Sequence, residues 1–211
     1  MKSIAHRGAS AIAPENSLEA IRVARKHGVD YIEVDVRKTA DNKLVIIHDE
    51  DTYRTHGIKK VVAKSIFSSL PSSVASLDQA IKAAKNTPLI LELKEPIPLN
   101  LLHEHLLTNK HLSIASFDPK ILYEIRKNYP HIKIWVLEKW QPYRALKRAQ
   151  RTKAYGIGIH LRGFSPLLYA LATKRNIKVF VYTINNPILA KILVKIFPEL
   201  IICTDKPDKV K

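Results

Sequence analysis

The chain has 211 residues, 46% of them hydrophobic, and carries 35 Lys and Arg against 19 Asp and Glu, a formal charge of +16. That apolar content suffices for one sizeable core, and a single cysteine, Cys203, excludes an internal disulfide framework and a cysteine-built zinc cluster. The opening MKSIAHRG has no apolar run of signal-peptide length, and nothing downstream approaches the ~20 residues of a membrane span, so a soluble, cytoplasmic protein is expected.

Short apolar runs alternate along the chain with stretches of helical period. The first strand candidate is SIAH (3–6). After it, Asn16 with Glu19 three residues on resembles a capping box, opening a helix in which Leu18, Ile21 and Ala24 share a face and which Gly28 can end. Next come YIEVDV (31–36) and KLVIIH (43–48). Too few residues separate them for a parallel crossover, which needs roughly a dozen or more, so 31–48 is expected to be an antiparallel hairpin turning near Asp41. Further strand candidates are 88–94, 112–116, 133–137, 156–161, 178–184 and 200–204. Helices are expected near 77–86, 97–109, 119–128, 141–152, 166–175 and 187–196. Setting aside the return arm of the hairpin, about 43–48, leaves eight strands joined by helical crossovers. The expected fold is α/β, a single (β/α)8 TIM-like barrel with that arm at its mouth and residues 1–211 as one domain.

Side chains two apart on a strand share a face, so Glu33 and Asp35 should point together into the barrel, with His48 returning opposite Val34 beside them. Glu92, in LILELK, occupies the equivalent end of the next barrel strand. Buried like charges are costly unless a cation joins them, and three carboxylates are hard ligands suited to Mg2+ or Ca2+ rather than Zn2+. His6 and Arg7 end the first strand, where Gly8 allows a sharp turn over the mouth. His6 and His48 make a pair for acid–base work near neutral pH. Arg7 offers a fork matched to phosphate oxygens, and Lys94 adds a second positive charge or a salt bridge to Glu92. Of the other histidines only His160, near a strand end, is a candidate to line the mouth. This inventory suits cleavage of a phosphodiester.

The ordered stretches HRGASAIAPENS (6–17), EVDVRKTADNKLVIIHDEDTYRTHG (33–57), LELK (91–94), SFD (116–118), YTIN (182–185) and TDKP (204–207) resemble the glycerophosphodiester phosphodiesterases, over nearly the whole chain. The resemblance implies a TIM-like barrel in which Glu33, Asp35 and Glu92 bind a divalent metal, His6 and His48 are the acid–base pair, and Arg7 and Lys94 hold the phosphate. It further implies a glycerophosphodiester substrate, cleaved to glycerol 3-phosphate and an alcohol. Two departures stand out: Tyr182 replaces the family's Trp in the substrate-facing wall, and the segment 50–76, where relatives carry a larger insertion, is short and basic here.

The charge balance favours anionic partners. A lysophospholipase D-type lipid phosphodiesterase, with basic residues attracted to anionic membrane surfaces, is the alternative enzyme. A nucleic-acid-binding protein using WQPYRALKRAQRTK (140–153) is a third class, but it leaves the acids at the mouth unexplained.

Overall fold

The computed structural model describes residues 1–210. In chain order the main elements are β1 (Ser3–Ala5), α1 (Leu18–Lys26), β2 (Tyr31–Lys38), β3 (Leu44–Ile46), α2 (Tyr53–His56), α3 (Leu77–Ala84), β4 (Leu89–Leu93) and α4 (Leu99–Thr108). They continue with β5 (Leu112–Ser116), α5 (Pro119–Asn128), β6 (Lys133–Glu138), α6 (Pro142–Arg151), β7 (Gly156–His160), α7 (Pro166–Thr173), β8 (Lys178–Tyr182), α8 (Pro187–Ile196) and β9 (Ile201–Thr204). No helix among the described residues is long and apolar enough to cross a membrane.

Eight strands close a parallel barrel in the order β1–β9–β8–β7–β6–β5–β4–β2, with β1 pairing back onto β2. β3 stands outside this ring, antiparallel to β2, with Val36 opposite Ile46 and Lys38 opposite Leu44. Extending that register sets the turn at residue 41 and His48 across from Val34. The expected barrel and hairpin are therefore both present, with the arm's strand shorter than 43–48.

The period-two alternation of each strand divides the core into two layers. On β2, Ile32, Val34 and Val36 join the shell between barrel and helices, while Tyr31 packs with the interior cluster. That interior is plugged by Ile4, Ile90, Ala115, Trp135, Leu137, Phe180, Ile201 and Cys203. Trp135 meets Tyr31, Tyr155 and Phe180 edge to face, the favoured geometry for aromatic quadrupoles. Its indole has room only because position 156 is Gly, where a Cβ would lie 2.3 Å from Trp135 Cζ3.

One local expectation is corrected. α1 is capped by Ser17, whose side chain accepts from Ala20 N, and Asn16 is not part of a capping box. Asn16 instead adopts a left-handed backbone, φ 52°, that turns its side chain toward β2. Gly28, at φ 67°, follows the helix's last turn as expected.

Candidate active site

The polar residues gather where β2 and β4 end. These strands run parallel in a register that sets Asp35 beside Glu92 and Glu33 beside Ile90. Both acids of β2 project into the barrel, as does Glu92, so one oxygen from each of the three carboxylates lies within 4.8 Å of the others. All three residues are buried. Two bases balance them: Lys94 Nζ sits 2.5 Å from Glu92 Oε1 and 3.4 Å from Asp35 Oδ1, and Arg7 Nε lies 3.3 Å from Asp35 Oδ2. Three acids against two bases leave one negative charge in excess when all are ionised.

The environments of the acids differ. Burial pushes the Glu33 carboxyl up to about 8, reinforced by repulsion from Asp35. Burial also opposes charge on Asp35, but Lys94 and Arg7 outweigh it and hold that carboxyl below its usual range. Glu33 Oε2 accepts from the Arg7 backbone N–H at 2.8 Å, whereas Oε1 is a buried oxygen with no partner. An unmatched, hard carboxyl oxygen beside two further carboxylates suits a divalent cation, whose charge would favour the ionised form. The donor set therefore fits Mg2+ or Ca2+.

Arg7 reaches the cluster through the turn after β1. Arg7 and Gly8 both have positive φ, 56° and 79°, and a Cβ on Gly8 would come within 2.7 Å of Ala20 in α1. The guanidinium also donates to Glu15 at 2.9 Å. Glu15 in turn receives Arg54 from α2, so the short basic segment after β3 is tied to the mouth through this ion pair.

His6 and His48 each have a carboxylate on Nδ1, Asp205 and Asp49 respectively, both at 2.7 Å. Burial works against the charged His6 ring, but its hydrogen bond to Asp205 and the charge of Glu33 prevail and raise its pKa. Asp205 is lowered to about 2: burial opposes this, but bonds from His6 and Asn185 dominate. Asp49 is gripped from its other side by Arg54. Both imidazoles line the central cavity with Nδ1 engaged, which leaves Nε2 for chemistry.

That cavity, about 240 Å³, is bounded by His6, Arg7, Glu33, His48, Glu92 and Lys94 on its polar side. Phe117, His160, Phe180 and Tyr182 form an aromatic wall opposite, where Tyr182 meets Phe117 and His160 edge to face and donates its hydroxyl to the Glu138 carbonyl at 3.0 Å. The structure thus assembles all eight residues singled out from the sequence, and His160 as well. The sequence pattern gave Asn16 only a capping role, and Asp49 and Asp205 none. All three lie within the motif stretches 6–17, 33–57 and 204–207, which were the signal available. The 140–153 stretch forms α6, which buries Ala145, Leu146 and Ala149 against the barrel and turns its charges outward.

The sequence profile of the glycerophosphoryl diester phosphodiesterase family matches residues 6–97 and 91–209. A glycerophosphodiester phosphodiesterase from Caldanaerobacter subterraneus subsp. tengcongensis is 28% identical over 97% of this chain and 94% of its own length. The crystal structure of a glycerophosphodiester phosphodiesterase from Thermotoga maritima superposes with a TM-score of 0.87 at 25% identity, covering 99% of this chain and 96% of that one. A phosphodiesterase from Oleispira antarctica, solved with the product sn-glycerol-3-phosphate, shares the fold with a TM-score of 0.85 at 24% identity, over 100% and 95% of the two chains.

Proposed function

The chain belongs to the glycerophosphoryl diester phosphodiesterase family, and from that footing we propose that it hydrolyses small glycerophosphodiesters to glycerol 3-phosphate and a free alcohol at the β2–β4 mouth. The observation that carries this reading is the pairing of two carboxylate-held histidines with three buried acids around one cavity. Glu33, Asp35 and Glu92 would hold a divalent cation, which supplies positive charge to the phosphoryl oxygens.

The chain's own groups account for the remaining requirements. Arg7 and Lys94 present cationic donors to the phosphate. His6 and His48 divide the two proton transfers, one taking a proton from the attacking oxygen and the other giving one to the leaving alcohol. Asp205 and Asp49 fix each ring's orientation and keep Nδ1 protonated, so that Nε2 does the transfer. The aromatic wall with Tyr182 shields the carbon skeleton of the substrate from water.

A cavity of about 240 Å³ lies below the roughly 300–1,000 Å³ of sites for drug-sized ligands, which favours a deacylated diester over a lysophospholipid. Product analysis tests both points. Glycerophosphocholine and glycerophosphoethanolamine should release glycerol 3-phosphate with Mg2+ or Ca2+ and not with chelator, while lysophosphatidylcholine is cleaved far more slowly. Equal cleavage of the lysolipid would shift the assignment to a lysophospholipase D.

A further inference from the structure

The positive charge is not spread evenly round the barrel. Between Glu138 and Glu199 the chain carries no acidic residue and twelve Lys or Arg, three quarters of the formal charge of +16. This stretch folds as one contiguous sector, α6–β7–α7–β8–α8, with β6, β7 and β8 paired side by side. Exposed large apolar side chains concentrate in the same sector. On α8, Ile188, Ile192 and Ile196 follow one another at one-turn spacing and are 69%, 49% and 61% exposed, with Lys191 and Lys195 beside them. Trp140, Tyr143 and Leu167 are also exposed, and with Ile188 they sit where strands end and helices begin, the mouth side of a (β/α)8 barrel.

An apolar stripe on a soluble face marks a contact surface. Arg148 and Lys178 pair with the flanking Glu138 and Glu199, so its occupant must tolerate the remaining ten cations, which excludes a second copy of the same sector by like-charge repulsion. It must also receive branched aliphatic side chains and an indole, which phosphate backbones do not. A bilayer carrying anionic headgroups meets both demands: Lys and Arg meet the surface charge, while Trp and Tyr settle at the interface and the isoleucines reach the acyl boundary. We propose that the α6–α8 sector, through the isoleucine stripe of α8 and the apolar rim at Trp140, docks this protein onto anionic lipid bilayers with the cavity mouth at the membrane edge. The chemistry is consistent with such a location, because a glycerophosphodiester is a phospholipid stripped of its acyl chains, and the deacylation that supplies it takes place at a bilayer.

Flotation of the intact protein with vesicles tests the proposal independently of turnover. The protein should float with vesicles of equal parts phosphatidylcholine and phosphatidylglycerol, not with phosphatidylcholine alone, and salt should weaken the association. Lys191→Gln with Lys195→Gln should lower partitioning roughly thirtyfold. Ile188→Ser with Ile192→Ser should lower it at least tenfold while leaving the melting temperature near wild type, since both side chains are exposed. Trp140 should shift to shorter wavelength and be quenched by brominated lipid, against a silent background from Trp135, which is fully buried. Failure to float, including a protein that instead binds a DNA duplex or itself, overturns the proposal. So does flotation that neither pair of substitutions weakens, or that leaves Trp140 emission unchanged. None of these results bears on the phosphodiesterase assignment.

Discussion

Asn16 holds Asp35 by both ends of its amide: Nδ2 donates to Asp35 Oδ2 at 2.8 Å, and Oδ1 accepts from the Asp35 backbone N–H at 3.0 Å. The end of the β1–α1 loop thereby aims a carboxylate on β2. Removing the amide leaves a buried N–H and a buried carboxylate oxygen each short of a partner. Asn16→Ala should cost about 1–3 kcal/mol of stability and lower divalent-metal affinity roughly 10–100-fold, the usual effect of losing a group that orients a ligand. Chemical denaturation and metal titration by calorimetry check the two effects separately.

Glu33 predicts a gain. Its folded pKa, about 8, lies above the ordinary carboxylate value, so the native state keeps a proton that the unfolded chain releases earlier, and stability falls as pH rises between about 4.3 and 8. Glu33→Gln removes that titration and gives the partnerless oxygen's position a donor amide. In chelator at pH 8 the variant should be more stable than wild type by about 1–3 kcal/mol, and it should bind divalent metal far more weakly. A variant that melts lower at this pH would contradict the burial argument.

The His6–Asp205 pair predicts a pH window. The Asp205 carboxyl, lowered to about 2, contributes stability above its unfolded pKa and loses it as pH falls toward 2. The raised His6 contributes below its unfolded pKa and loses its share as pH rises through its folded value. Both are present together between about pH 4 and 6.5. The stability deficit of Asp205→Asn should peak in that window and shrink on either side, and the His6 ring should titrate at lower pH by NMR. An unchanged His6 titration would remove Asp205 from its proposed role.

Much of this site could be read from residue spacing, and the reason is the strand period. Two acids at Glu33 and Asp35 must share a face, and a hairpin turning at residue 41 must return His48 to them, so local geometry carried those residues together. What spacing does not encode is barrel closure. His6 and Asp205 are 199 positions apart and meet only because β1 pairs with β9. Asn16 was misassigned for a different reason: the pattern Asn-x-x-Glu before an apolar run is a sound capping signal, but Ser17 beside it serves equally well as cap and freed the amide for Asp35. Lys94, for which a salt bridge and a phosphate contact were both open, is seen bound to Glu92 and Asp35.

Tyr182 tests the wall opposite the acids. Its hydroxyl donates to Glu138 O, so Tyr182→Phe should cost about 0.5–1.5 kcal/mol of stability. The ring itself remains. KM for glycerophosphocholine should rise severalfold with kcat changed less, because the loss is in substrate positioning rather than proton transfer.

The division of proton transfer between His6 and His48 is tested most directly by kcat/KM for glycerol 3-phosphate release from glycerophosphocholine. His6→Ala and His48→Ala should each lower it roughly 10²–10⁴-fold, and the double variant should fall by less than the product of the two because the rings act as a unit. A folded single variant that keeps turnover within severalfold of wild type would contradict the account.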